Sequence, residues 1–333
     1  MTAALMLAAY ALLMATGGSW LLSRSRWPHR SPRLAVATWQ AASFSVPWAI
    51  GLAGVVLLLP QSPVSAAVAR IAHACAPALD AVYRVPGGTL AGMLVGALLL
   101  GAVGRAALLL AHDLWMAMGD RARQRQMLAL VSRVDPTLDA LVVDHEAVAA
   151  YCVPGRGGRV VFTTAALAAL GDKERLAVLA HEQAHLRQRH HLVLAAARAL
   201  RRAFPRLPLM RTAEMEIAVL VEMVADDVSV RRSDVRSVAS ALRVLSSSVA
   251  APGRTEVHPS AVHASALVRR LRRLVTPARP LTAVALAARS LVVAAALTLP
   301  LVLAAAPATA TLQSEVCPVP ARAPATETDV SMG

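Results

Sequence analysis

Leu179-Ala180-His181-Glu182-Gln183-Ala184-His185 is the stretch from which the rest of the chain can be read. On an α-helix, residues i and i+4 share a face. Both imidazoles can therefore grip one Zn²⁺ while Glu182 reaches the water beside it, as catalytic base. Helical context comes from Leu176, Leu179 and Ala180 ahead of His181. Asp172 serves as N-cap, and Glu174 lies in the first turn. The pattern predicts one helix running through His190 to about residue 203, stopped by Pro205.

A hydrolytic zinc site takes three protein ligands and leaves one position for water. Glu222 is the candidate third ligand, on a second helix from Leu209 to about Val230 that Pro205 and Pro208 set off from the first. Asp226, one turn beyond, can accept the free ring N–H of a ligating histidine. Glu214 and Glu216 compete for the third place but lack an aspartate at i+4. His190 and His191 sit too far along the predicted helix to join His181 and His185, and read as basic surface or membrane-proximal residues. The oxyanion-stabilising group is left open between an arginine, a histidine and the zinc itself.

Outward from this motif, the chain is too apolar for an ordinary soluble enzyme. Hydrophobic residues make up 56% of its 333 positions and charged residues 16%, with mean hydropathy +0.54. Four nearly uncharged runs, at about 3–22, 34–59, 89–111 and 281–306, each approach the ~20 residues that a bilayer-spanning helix needs. The expected architecture is a mainly α membrane protein. Residues 1–111 hold three spans, 112–280 form a helical zincin-like protease domain with a small β-sheet, and 281–306 form the fourth span. A short tail, 307–333, follows.

Arginines set the orientation, because positive segments near span ends stay cytoplasmic. Arg24, Arg26, Arg30 and Arg33 follow the first run, Arg121, Arg123 and Arg125 the third, and Arg269, Arg270, Arg272, Arg273 and Arg279 precede the fourth. The segment 61–88 and the tail carry only Arg70, Arg84 and Arg322. The motif is thus expected to face the cytoplasm of a multi-pass cell-membrane protein, with both termini outside. No positive segment precedes the first run, which argues against a cleaved signal peptide. The formal net charge of +14 lacks any accompanying nucleic-acid motif, so anionic membrane lipid is the expected partner and direct nucleic-acid binding is not. Cys75, Cys152 and Cys317 show no CxxC spacing, and Cys75 and Cys317 share the outer side, where a disulfide is permitted.

Between the third and fourth runs, a basic helix from Trp115 to about Val134 is predicted. Strands follow at 138–143 and 147–153, then a turn at Pro154-Gly155-Arg156-Gly157-Gly158 and a strand at 159–163. The last strand is expected either at the sheet edge beside the metal, where an extended substrate can pair with it, or as part of a purely structural hairpin. A helix at about 233–249, a loop at 251–260 and a basic helix lead to the fourth span.

Three segments taken together resemble the integral-membrane zinc metallopeptidases of the beta-lactam sensor-transducer (BlaR/MecR) type: Val161-Phe162-Thr163-Thr164, the histidine motif, and Glu222-Met223-Val224-Ala225-Asp226. They are also similar to the related prenyl-protease and heat-shock membrane proteases. The resemblance covers about residues 112–306. It implies His181, His185 and Glu222 as Zn²⁺ ligands, Glu182 as catalytic base and Asp226 in support. Four spans fit the sensor-transducers better, but those carry a large extracellular penicillin-binding domain after the fourth span, so antibiotic sensing by that route is not expected here. The implied substrate is a protein or peptide, either a transcriptional repressor or a membrane protein. Alternatives are a membrane quality-control protease and a non-catalytic sensor or scaffold. Arg105 and Arg289, within the third and fourth runs, read first as topological or packing residues that snorkel or pair near the interface, and second as candidates for coupling the spans to the inner domain.

Overall fold

Each of the four apolar runs forms a helix long enough to cross a bilayer in the computed structural model, which describes residues 2–25, 27–58, 89–155, 157–249, 261–276 and 280–313. The first is α1 (Thr2–Arg24), with a π-helical turn at Met14–Gly18, and the second α2 (Pro32–Leu58), with Pro47 in its interior. The third, α3, runs unbroken from Thr89 to Val131. The basic segment expected as a separate helix from Trp115 is therefore the far half of α3, ending at Val131. Passing from an apolar to a charged sequence changes the preferred solvent, yet without a proline nothing interrupts the backbone ladder. The fourth is α10 (Ala283–Gln313).

Between α3 and α10 lies a small sheet followed by helices. Its strands are β1 (Ser132–Asp135), β2 (Ala140–Val143), β3 (Ala150–Val153) and β4 (Arg159–Thr163). The helices are α4 (Thr164–Ala169), α5 (Asp172–Arg187), α6 (His190–Ala203), α7 (Pro208–Arg232), α8 (Val235–Val249) and α9 (Ala261–Val275). Sheet order is β1-β2-β4-β3, with β2 and β4 parallel and the outer pairs antiparallel. β1 was not anticipated. It joins β2 through a turn in which Asp135 accepts the N–H groups of Thr137 and Leu138, so β2 starts at Ala140 rather than residue 138. The strand at 159–163 is not the edge. Val160, Val161 and Phe162 are almost fully buried, and β4 bonds to neighbours on both sides, leaving β3 as the edge strand on that side and β1 on the other.

The helix predicted from Asp172 to about residue 203 is two helices. Gly171 occupies the N-cap position of α5, where its N–H donates to Glu174 Oε2 at 2.9 Å, and Asp172 is the first helical residue. Arg189 adopts a left-handed conformation, φ +51°, which ends one helix and starts the next at a new angle. Asp234 accepts the Ser237 N–H and starts α8. The loop 251–260, Cys75 and Cys317 lie outside the described residues.

One core unites spans and inner domain. Leu7, Trp39, Val46 and Ala49 of α1 and α2 pack with Leu200 of α6 and with Leu209, Ile217, Leu220 and Met223 of α7. Gln40 Nε2 on α2 donates to the Val193 carbonyl of α6, and Arg105 Nη1 on α3 donates to the Ala203 carbonyl that ends α6. The α6–α7 pair is thus built into the span bundle. Arg289 rests against Trp27 and its own helix carbonyl at Ala285. A second core under the sheet joins Phe162, Ala166 and Leu170 to Val178 of α5 and Ala241 of α8.

Helices in lipid gain little from the hydrophobic effect and associate through close van der Waals contact, which small residues permit. α2 and α3 meet at Gly54 and Gly96: a Cβ on either would lie 3.0 Å from the other's carbonyl oxygen. Gly96→Val is expected to destabilise the detergent-solubilised protein by about 1–3 kcal/mol, the usual effect of overpacking. Gly101→Val meets open space on the same helix and serves as control. Equal melting temperatures for the two variants would contradict this packing.

Candidate metal centre

His181 and His185 project from one face of α5, whose Ala177, Val178, Ala180 and Ala184 are buried. Small residues let α7 approach, and Ser229 Oγ of α7 donates to the Ala177 carbonyl at 2.6 Å, tying the two helices together where water is excluded. Glu222 and Asp226, one turn apart on α7, then face the two histidines. The Nε2 atoms of His181 and His185 are 3.2 Å apart. Glu222 Oε2 is 3.4 Å from His181 Nε2, and Glu222 Oε1 is 3.4 Å from His185 Nε2. Among the described residues, these three side chains form a group that could hold a metal ion, with donor atoms within 4.8 Å of one another. Glu214 and Glu216 do not join them, being paired with Arg201 and Arg269.

The donor spacings are close to those of a zinc site. Ligands about 2.0–2.1 Å from a tetrahedral ion lie about 3.3 Å from one another. Two imidazoles and a carboxylate are also an ordinary donor set for that ion.

Each histidine has a partner for its other nitrogen. His181 Nδ1 lies 3.2 Å from Asp226 Oδ1, whose side chain is 2% exposed. A carboxylate so buried needs further cationic support, and Arg270 of α9 supplies it through Nε and Nη2 at 2.9 and 2.7 Å. Arg270 Nη1 also reaches Glu222 Oε2 at 3.0 Å. Sequence reasoning took Arg270 as part of a membrane-flanking charge cluster. Its signal was weak, because only the packing of α9 on α7 shows that Arg269, Arg270 and Arg273 meet Glu216, Asp226 and Asp227 in turn.

His190 corrects the sequence reading. It is 4% exposed rather than on the surface, and its Nδ1 lies 2.9 Å from His185 Nδ1. In an unbroken helix, five residues would turn His190 about 140° away from His185. The left-handed Arg189 between α5 and α6 removes that separation. Burial, then the neighbouring His185, lowers the His190 pKa to about 4, so its ring is neutral and can accept the His185 Nδ1–H. His191 is half-exposed beside Arg121 and Arg189, as a basic surface residue would be.

The centre favours positive charge. Burial opposes protonation of His181, but hydrogen bonds to Asp226 and Glu222 outweigh it and raise its pKa. Burial opposes ionisation of Glu222 too, and the His181 hydrogen bond with the Arg270 charge overcomes it, holding the carboxyl far below its usual range. Glu182 behaves differently: burial pushes its pKa up, and the Glu222 charge adds to the effect. Its neighbour is Cys152 on edge strand β3, whose own pKa is pushed up to about 12 by burial and then by the Glu182 charge. Cys152 therefore remains a thiol, and β3 borders the base. A lone cysteine carries no spacing signal, so this contact was not readable from the sequence.

Residues 119–248, which include the motif, Glu222 and Asp226, match the family model Peptidase family M48. No curated protein and no solved structure matches the chain. The match supports a metallopeptidase related to the prenyl-protease-like membrane enzymes, and the apolar helices fit a multi-pass membrane protein.

Proposed function

We propose that this protein is a membrane-embedded zinc endopeptidase whose catalytic domain faces the cytoplasm and cuts protein substrates at the membrane surface. The observation that carries this reading is the 3.2–3.4 Å triangle of His181, His185 and Glu222 with Glu182 alongside. His181 and His185 would hold the ion through Nε2 and Glu222 through its carboxylate. Bound zinc supplies Lewis acidity that polarises a carbonyl and makes water a nucleophile at neutral pH.

The chain's own groups do the rest. Glu182, with its raised pKa, takes the proton of the attacking water on its carboxylate and delivers it to the leaving amine. Cys152 stands beside that carboxylate. Asp226 receives the His181 Nδ1–H and fixes the tautomer that turns Nε2 inward, and Arg270 keeps Asp226 ionised. His190 does the same for His185. The free edge of β3, in place of the 159–163 strand, binds an extended substrate by strand addition.

Orientation rests on arginine placement, and the basic segments after the first span and before the fourth meet at one end of the bundle. Arg30 donates to the Pro280 carbonyl and Arg273 to that of His29. The substrate is a cytoplasmic regulator such as a transcriptional repressor, or a membrane protein's cytoplasmic segment. Because the α6–α7 pair shares a core with α1 and α2, the site is fixed beside the spans, which favours substrates held at the membrane.

Glu182→Gln is expected to keep zinc and to lower hydrolysis by about 10²–10⁴-fold, the usual contribution of a general base. Sequencing new protein N-termini in cells that express either form tests this without knowing the substrate. Identical sets of termini from wild type and variant would overturn the proposal. His190→Leu removes the acceptor for His185 and is expected to weaken zinc binding by about 10–100-fold in chelator competition. His190→Asn keeps an acceptor and should restore most of the affinity. If both variants bind zinc like wild type, His190 does not position the ligand.

A further inference from the structure

A cavity of about 700 Å³ adjoins the metal centre, with His181, Glu182 and Glu222 among the residues lining it. It is within the size range of ligand pockets. One wall is a stripe of α8, Val238, Ala241, Leu242 and Leu245, spaced as i, i+3, i+4 and i+7 along a single helical face. The opposite wall is Ala177 and Val178 of α5, and Leu267 of α9 contributes from the side. Two of the lining positions carry alanine, Ala177 and Ala241, where larger side chains would take up room.

The polar groups around this space are already engaged. Ser229 bonds the Ala177 carbonyl, Asp226 and Arg270 bond each other, and Ser246 and Ser247 bond carbonyls of their own helix. Arg243 stands exposed. A polar side chain entering the cavity would lose its water and find few free partners, which costs free energy. An aliphatic or aromatic side chain would lose nothing and bury apolar surface.

We infer that this cavity is the subsite for a large apolar side chain next to the cleaved bond, so that the enzyme selects sites bearing Leu, Ile, Met or Phe, and that Ala241 sets the size it accepts. The inference rests on the peptidase reading above. It names the sequence feature by which a substrate is chosen, whichever protein carries it. α8 acts here as a specificity element and carries none of the three proposed zinc ligands.

The test is cleavage-site profiling of the full-length, zinc-loaded protein in detergent on a proteome-derived peptide library, with Glu182→Gln as blank. Wild type is expected to enrich large apolar residues on one side of the cut. Ala241→Phe fills the cavity and should lower kcat/KM for those sites by about 10–200-fold, the range for one to a few methylenes in an apolar pocket, while sparing sites with Ala or Gly. Leu242→Ala enlarges the cavity and should shift preference toward Phe and Trp, which gives a second reading if the larger side chain disturbs folding. A flat wild-type profile, or Ala241→Phe slowing all sites alike, would overturn the inference while leaving the peptidase intact. No cleavage beyond the Glu182→Gln blank would overturn the peptidase reading, and this inference with it.

Discussion

Asp226 is 2% exposed, and an ionised carboxylate at that depth is tolerated only when charged donors replace its lost water. Arg270 does so from α9 with a two-point grip, and His181 does so from α5 with Nδ1. That one carboxylate, carried on α7, therefore holds three helices in register. The register brings Glu222, one turn away, to 3.4 Å from each Nε2. Removing one partner of such a buried group leaves the others uncompensated, so the centre stands or falls as a unit.

The rest of the molecule keeps this arrangement attached to the spans. Leu209, Ile217 and Met223 of α7 lie in the same core as Trp39 and Val46 of α2. Gln40 and Arg105 bond carbonyls at Val193 and Ala203 along α6. Arg105, a candidate for coupling on sequence grounds, thus satisfies the end of a helix that starts at His190, a neighbour of the centre. Arg289 instead sits against Trp27 and its own helix. A rotation or tilt of α2 or α3 would be felt by α6 and α7 directly, since no flexible linker intervenes between these helices and the ligands on α7.

Much of this was legible in the sequence, for identifiable reasons. The spans declare themselves because a bilayer core demands long uncharged runs. His181, Glu182, His185, Glu222 and Asp226 can be picked out because helical periodicity converts spacing into a shared face. What escaped depends on contacts between distant segments or on local backbone breaks. Arg270 looked like one more arginine at a span end, and only tertiary packing distinguishes it from Arg272. His190 was hidden by one left-handed residue, Arg189, with neither glycine nor proline to announce a break. β4 has the length of any strand, and its consecutive Val160, Val161 and Phe162 suit a strand buried on both faces, but which strands flank it follows from pairing with β2 and β3, which composition does not encode.

The central claim is that α5 and α7 together grip one zinc ion. Metal analysis of the purified full-length chain tests it most directly, comparing wild type with Glu222→Gln and with Glu214→Gln, whose carboxylate pairs with Arg201 instead. The account predicts one zinc per chain in wild type and in Glu214→Gln, and its loss in Glu222→Gln. Zinc absent from wild type, or retained in full by Glu222→Gln, would contradict it.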